Sequence, residues 1–206
     1  MAITLLTHTS VVGGTGNLTT TGIDTTGADF IVITVAYDSG GSTATITDSK
    51  SNSWSARTAA PAGSAAVSKI YYCTPSTVGA SHTFTSSTAT FQTFEVSCFS
   101  GMAQSGVYDV ENGASTGSDV GTFQPGSVTP SQASSLIITG LGINATGTPT
   151  SINSGFTVIE EQNFGTGNNY GSAMAYLIQT SSSAVNPTWT RTGNGTTSAV
   201  IAVFKG

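Results

Sequence analysis

Phe30-Ile-Val-Ile-Thr-Val-Ala-Tyr-Asp38 is the stretch on which the fold turns. It is rich in β-branched and aromatic residues, which suit a pleated strand and lose rotamer freedom in a helix. Its apolar run, Phe30 to Tyr37, is about eight residues, far short of the ~20 that a spanning helix needs. Outward from it, similar short runs recur every ~8–12 residues, split by Gly, Ser, Asn and Pro. Strands are expected near 3–6, 30–38, 43–47, 53–58, 67–73, 81–85 and 91–99, and again near 134–143, 155–160, 172–179, 187–191 and 197–205. No stretch sustains the 3.6-residue apolar period of a helix. Asp38–Gly41, Asn144–Gly147 and Gly165–Asn169 read as loops, where Gly and Asn accept positive φ.

The run also repeats. Gly22-Ile-Asp-Thr-Thr-Gly-Ala-Asp-Phe-Ile-Val-Ile-Thr34 has a counterpart in Gly126-Ser-Val-Thr-Pro-Ser-Gln-Ala-Ser-Ser-Leu-Ile-Ile-Thr139. Asn52-Ser-Trp54 then matches Ser154-Gly-Phe156, and Ser68-Lys-Ile-Tyr-Tyr72 matches Ser172-Ala-Met-Ala-Tyr176. His82-Thr-Phe-Thr85 matches Pro187-Thr-Trp-Thr190, and Glu95–Gly101 matches Val200–Gly206. Five pairings in order imply a degenerate internal duplication. The expected fold is all-β: one β-sandwich of jelly-roll type over residues 1–206, with about ten or more strands built from two sequence-similar halves. Residues 1–21 would be an N-terminal arm or first strand, 22–101 the first half, 102–125 an internal linker and 126–206 the second half. A pair of immunoglobulin-like domains is the alternative; it requires an independent core in each half.

Composition sets the chemistry. Only 7% of the 206 residues are charged, against ~25% in an average domain. Roughly 65 residues are Ser or Thr and 25 are Gly, so hydroxyls are expected on the outward strand faces and glycines in the turns. Five basic and ten acidic groups leave a net charge of −5, which argues against nucleic acid and anionic membrane as partners. Met1–Ser10 carries no Lys or Arg, so it does not read as a secretory signal. Cys73 and Cys98 fit no zinc or redox spacing. Alternation turns Cys73 away from Ile70 and Tyr72 and sets Cys98 with Phe94 and Val96, which favours free thiols, Cys98 being a small buried hydrophobe.

Candidate chemistry is sparse, and neither a metal nor a cofactor site emerges. His8 lies in a stretch expected to be mobile, and His82 opens a strand where it can face solvent. Without a nucleophile elbow or a His-Glu-x-x-His motif, neither reads as catalytic. Glu160 and Glu161 are neighbours, so on a strand they point to opposite faces and suit edge protection better than paired acid–base work. Asp48-Ser-Lys-Ser-Asn52 has a calcium-loop flavour, but Lys50 within it favours a turn whose Asp and Asn cap backbone amides. Asp24, Asp29 and Asp109 could meet a metal only through the fold. Trp54, Trp189, Tyr37, Tyr71, Tyr72 and Tyr170 could form an aromatic platform for sugar rings; Trp54, Trp189, Tyr37 and Tyr170 are the candidate ligand or partner contacts. The plainer reading is that Trp54 and Trp189 anchor the core.

A family resemblance rests on Phe30–Tyr37, Thr47-Asp-Ser-Lys-Ser-Asn-Ser-Trp54, Lys69-Ile-Tyr-Tyr72, Phe99-Ser-Gly101, Pro125-Gly-Ser-Val-Thr-Pro130 and Ala199–Phe204. The chain resembles, over nearly its whole length, jelly-roll-like sandwich proteins of tailed phages, of the capsid decoration or cement type, and related bacterial surface proteins. The resemblance implies a non-enzymatic virion protein that carries no catalytic residues. Its partner would be the major capsid protein, and a homo-oligomer, such as a trimer at local three-fold positions, would suit the role. A phage protein is made in the cytoplasm and freed by lysis, which reconciles an extracellular composition with the missing signal peptide. Two other classes are expected to compete: a carbohydrate- or receptor-binding module, and a glycan-active enzyme on the same scaffold. The enzyme would need two of Asp24, Asp29, Asp38, Asp48, Asp109, Asp119, Glu95, Glu111, Glu160 and Glu161 in one groove.

Overall fold

The structure is a computed structural model, describing all residues except 1, 15, 59, 61–64, 88, 119–120, 145–147, 164–169 and 194. The described residues form strands, turns and coil, with no helix among them. Most of the two loops expected at 144–147 and 165–169 lies outside the described residues, as does Asp119.

In chain order the strands are β1 (Thr4–Val12), β2 (Leu18–Thr19), β3 (Phe30–Asp38), β4 (Thr45–Asp48), β5 (Ser55–Ala56), β6 (Ala66–Cys73), β7 (Phe84–Ser87) and β8 (Thr93–Ser100). They continue as β9 (Tyr108–Thr116), β10 (Thr122–Phe123), β11 (Ser135–Ile143), β12 (Thr148–Ile152), β13 (Thr157–Gln162), β14 (Gly171–Gln179), β15 (Trp189–Thr192) and β16 (Thr197–Lys205). Four sheets result: β1-β8-β3-β6-β5, β2-β7-β4, β13-β14-β11-β16-β9 and β10-β15-β12. All the registered strand pairs are antiparallel. Adding eight to each strand number of the first two sheets reproduces the order of the other two.

The expected single sandwich is therefore corrected to four sheets, and β3 shows why. Alternation sends Ile31, Ile33, Val35 and Tyr37 to one face, where they pack with Ile46 of β4 and Phe84 of β7. Phe30 and Val32 point the other way, against Leu136 and Ile138 of β11 and Phe204 of β16. On β11, Ile137, Leu141 and Ile143 complete a third cluster with Trp189 of β15. Each five-stranded sheet is thus covered on both faces, giving layers of three, five, five and three strands. Two clusters draw on separate stretches of chain, the condition set for the two-domain alternative, yet a third joins the five-stranded sheets.

The same stacking corrects the placing of the hydroxyls. Thr34, Ser68, Ser97, Ser172 and Ser198 are buried rather than outward-facing. They lie between the two large sheets, with Ser68 Oγ 2.9 Å from Ser198 Oγ. Gly140 and Gly142 on β11 permit the approach: a Cβ at Gly142 would lie 2.7 Å from Ser68 Oγ and 3.1 Å from Ala36 Cβ. Small residues here leave no room for a larger side chain between the sheets.

The N-terminal segment and the supposed linker are also sheet. β1 pairs with β8 along its length, so His8 is held on a strand. β9 pairs with β16 and β10 with β15, so the 102–125 stretch closes two sheets. The half-buried edge strand β9 lacks the apolar alternation that would have marked it. The cysteines are free and buried. Each faces Ile31 from a different side, Cys73 on β6 and Cys98 on β8. Two strand spacings, ~10 Å, exceed the reach of a disulfide.

Candidate functional site

The densest polar constellation grows from the loop after β4. Asp48 Oδ1 accepts the Lys50 amide at 2.8 Å and Asn52 Nδ2 at 3.2 Å. Asn52 Oδ1 in turn accepts the amides of Ser76 at 2.9 Å and Thr77 at 3.0 Å. This is the amide-capping turn expected of Asp48–Asn52. The sequence did not reveal what closes over it. His82 is fully buried rather than solvent-facing, stacked on Phe84 with ring centroids 4.3 Å apart. Its Nε2 lies 3.0 Å from Asp48 Oδ1 and its Nδ1 2.9 Å from Thr25 Oγ1. Trp54 Nε1 donates to Asp48 Oδ2 at 2.7 Å.

One proton arrangement satisfies these contacts. Burial lowers the His82 pKa against the pull of Asp48, which favours a neutral ring. A neutral ring beside a carboxylate must donate from Nε2, which leaves Nδ1 to accept the Thr25 hydroxyl proton. Thr25 Oγ1 then accepts the Gly79 amide at 3.0 Å. The hydroxyl–imidazole–carboxylate chain has a nucleophilic triad's order of groups, but Thr25 and His82 have no solvent exposure. It ties three loops of the first pair of sheets together.

A second constellation spans the two large sheets. Glu95 of β8 is fully buried, accepting Thr34 Oγ1 at 2.7 Å and the Ser172 hydroxyl. Burial pushes its carboxyl up to about 7, against the pull of those two hydrogen bonds, and the charge of Glu160 adds to the rise. Glu160 of edge strand β13 accepts Ser10 Oγ at 3.0 Å and lies 2.6 Å from His8 Nδ1, joining the edges of both sheets. Glu161 is exposed on that same edge. Glu95 feels the charge of Glu160, but the sealed Glu95 offers no surface to a substrate.

The remaining carboxylates are spent on backbone geometry. Asp24 accepts Thr26 N at 3.0 Å and Thr26 Oγ1 at 2.6 Å, which lowers its pKa, the hydroxyl contributing most. Asp29 accepts Gly101 N at 2.7 Å, Asp38 accepts Gly40 N at 3.1 Å, and Asp109 accepts Ser131 N at 2.7 Å. Glu111 accepts Thr58 N at 3.3 Å and faces Arg57. No group of three or more His, Cys, Asp or Glu among the described residues is arranged to hold a metal ion.

Of the aromatic candidates, Trp189, Tyr37 and Tyr170 are buried at 1%, 4% and 6% exposure and offer no ring face to solvent. Trp189 donates to Thr139 Oγ1 at 3.2 Å, a core anchor's role. Trp54 is only partly buried and lines a groove with Ile46, Lys69 and Tyr71. The structure does not bring these four together: Trp54 and Trp189 belong to different core clusters. A second cleft, lined by Ser53, Ser55, Tyr72 and Tyr108, runs between β5, β6 and the start of β9. No protein-family model, curated protein or solved structure matches this chain.

Proposed function

We propose that this chain is a non-enzymatic virion structural protein, a capsid decoration or cement protein that binds an assembled shell through the major capsid protein and stiffens it. One observation carries the reading. Eight of the nine described carboxylates (Asp24, Asp29, Asp38, Asp48, Glu95, Asp109, Glu111 and Glu160) hold the chain's own amides, hydroxyls or rings. Polar chemistry of that kind serves rigidity. The matching strand orders support a fold of two duplicated, jelly-roll-like sandwiches joined back to back. A surface with few charges supports docking that tolerates changes in salt, and many copies on one shell would add avidity. Self-association on the shell, as a trimer at local three-fold positions, and release with the virion at lysis belong to the same proposal.

Co-sedimentation with purified shells stripped of the protein tests it. Binding should saturate at a fixed ratio to the capsid subunit and persist from 50 mM to about 0.5 M salt, where counterion-driven binding collapses. Failure to bind intact shells would overturn the proposal.

A further inference from the structure

We propose that the cleft between β5, β6 and the segment entering β9 binds a neutral glycan. The inference is independent of shell binding and rests on what the cleft walls offer. The cavity measures about 360 Å³, within the ~300–1,000 Å³ range of small-ligand sites. Ser53, Ser55, Tyr72, Thr74 and Ser105 line it, and none of their hydroxyls has a hydrogen-bond partner among the described contacts. Hydroxyls that face the sheet interface are paired instead, as Ser68 is with Ser198 and Thr34 with Glu95. Gln104, also on the wall, donates Nε2 to Met102 O at 2.9 Å, which holds its amide and leaves Oε1 to accept.

The walls are also pre-set. Tyr72 is fixed by Phe30 and Phe204, with ring centroids 5.8 and 5.0 Å away, so little side-chain freedom remains to be lost on binding. Tyr108 lies under the Arg57 guanidinium at 3.9 Å, and Glu111 sits 3.7 Å from Arg57 Nε. That pairing balances the Arg57 charge beside the cleft. Among the described residues no carboxylate, lysine or histidine lines the cleft, and Cys73 turns its thiol to the opposite core. Hydroxyl groups that both donate and accept, together with an open amide oxygen, match an uncharged polyhydroxylated ring. An ionic ligand would meet no countercharge.

Saturation-transfer NMR on the full chain, with maltohexaose, cellohexaose, xylohexaose and galactotetraose offered separately, tests this. At least one should take up saturation at about 5 mM, as expected for a millimolar site. Tyr72→Phe keeps the ring packing and Gln104→Ala lies on an exposed loop; each should weaken binding about fivefold or more while Lys69→Ala, in the neighbouring Trp54 groove, leaves it unchanged. No transfer from any of the four sugars overturns the proposal. So does binding that survives both cleft variants, or that is lost in Lys69→Ala.

Discussion

Replacing Glu95 by glutamine should make the protein more stable at pH 8 by up to about 3 kcal/mol and little different near pH 4. The Glu95 carboxyl is sealed between the two large sheets, and burial raises its pKa from 4.5 to about 7. Below pH 4.5 the folded and unfolded chains both carry the proton, so its contribution to stability is fully present. As pH rises through 7 the unfolded chain has released the proton while the folded one resists, and stability is lost. An amide keeps a donor and an acceptor for Thr34 and Ser172 without a charge to bury. His82 works in the opposite sense: burial lowers its pKa, so its contribution is lost as pH falls below the unfolded value of 6.5. The difference between parent and variant isolates Glu95. Urea unfolding at pH 4, 6 and 8 should give a gap that widens with pH; parallel curves would remove Glu95 from the account.

The second large effect belongs to Asp48. Asp48→Ala should cost about 3–5 kcal/mol, because it leaves the buried N–H of His82 and the half-buried N–H of Trp54 without an acceptor. The Lys50 amide loses its partner as well. Asp48→Asn retains one acceptor oxygen and should cost roughly half as much. Unfolding followed by tryptophan emission reports both loss of stability and any change around Trp54. Because β7 and β4 are clamped by this network in the first pair of sheets, an Asp48→Ala protein as stable as the parent would mean the network is ornamental. At the corresponding strand position in the other pair, Trp189 replaces Phe84 and Pro187 replaces His82. That core is closed by a larger side chain rather than by a polar knot.

What could be seen in the sequence follows from which signals are local. β3, β11 and β16 stand out because they are buried on both faces and so read as unbroken apolar runs. That same property showed that they need cover on two sides, but the Ser and Thr residues around them suggested one wet face. Thr34, Ser68 and Ser198 are instead small residues at a tight sheet contact, a role visible only when β11 with Gly140 and Gly142 lies opposite. β9 was hidden because an edge strand can be half-buried on both sides and needs no alternation. The Asp48 side of the Asp48–Asn52 turn was legible, since Lys50 and Asn52 lie within four residues of it; the Ser76 and Thr77 amides that Asn52 caps, 24 and 25 residues on, were not. The burial of His82 was not, because Asp48 and Thr25 stand 34 and 57 residues away. Tyr72 entered as one aromatic among six; the unpaired hydroxyls beside it come from three separate segments.

The shell-binding account is tested most directly by quantitative mass spectrometry of purified native particles. It predicts a copy number in fixed proportion to the major capsid protein, from particle to particle and preparation to preparation. Absence from the particles, or a handful of copies at the tail, would contradict it.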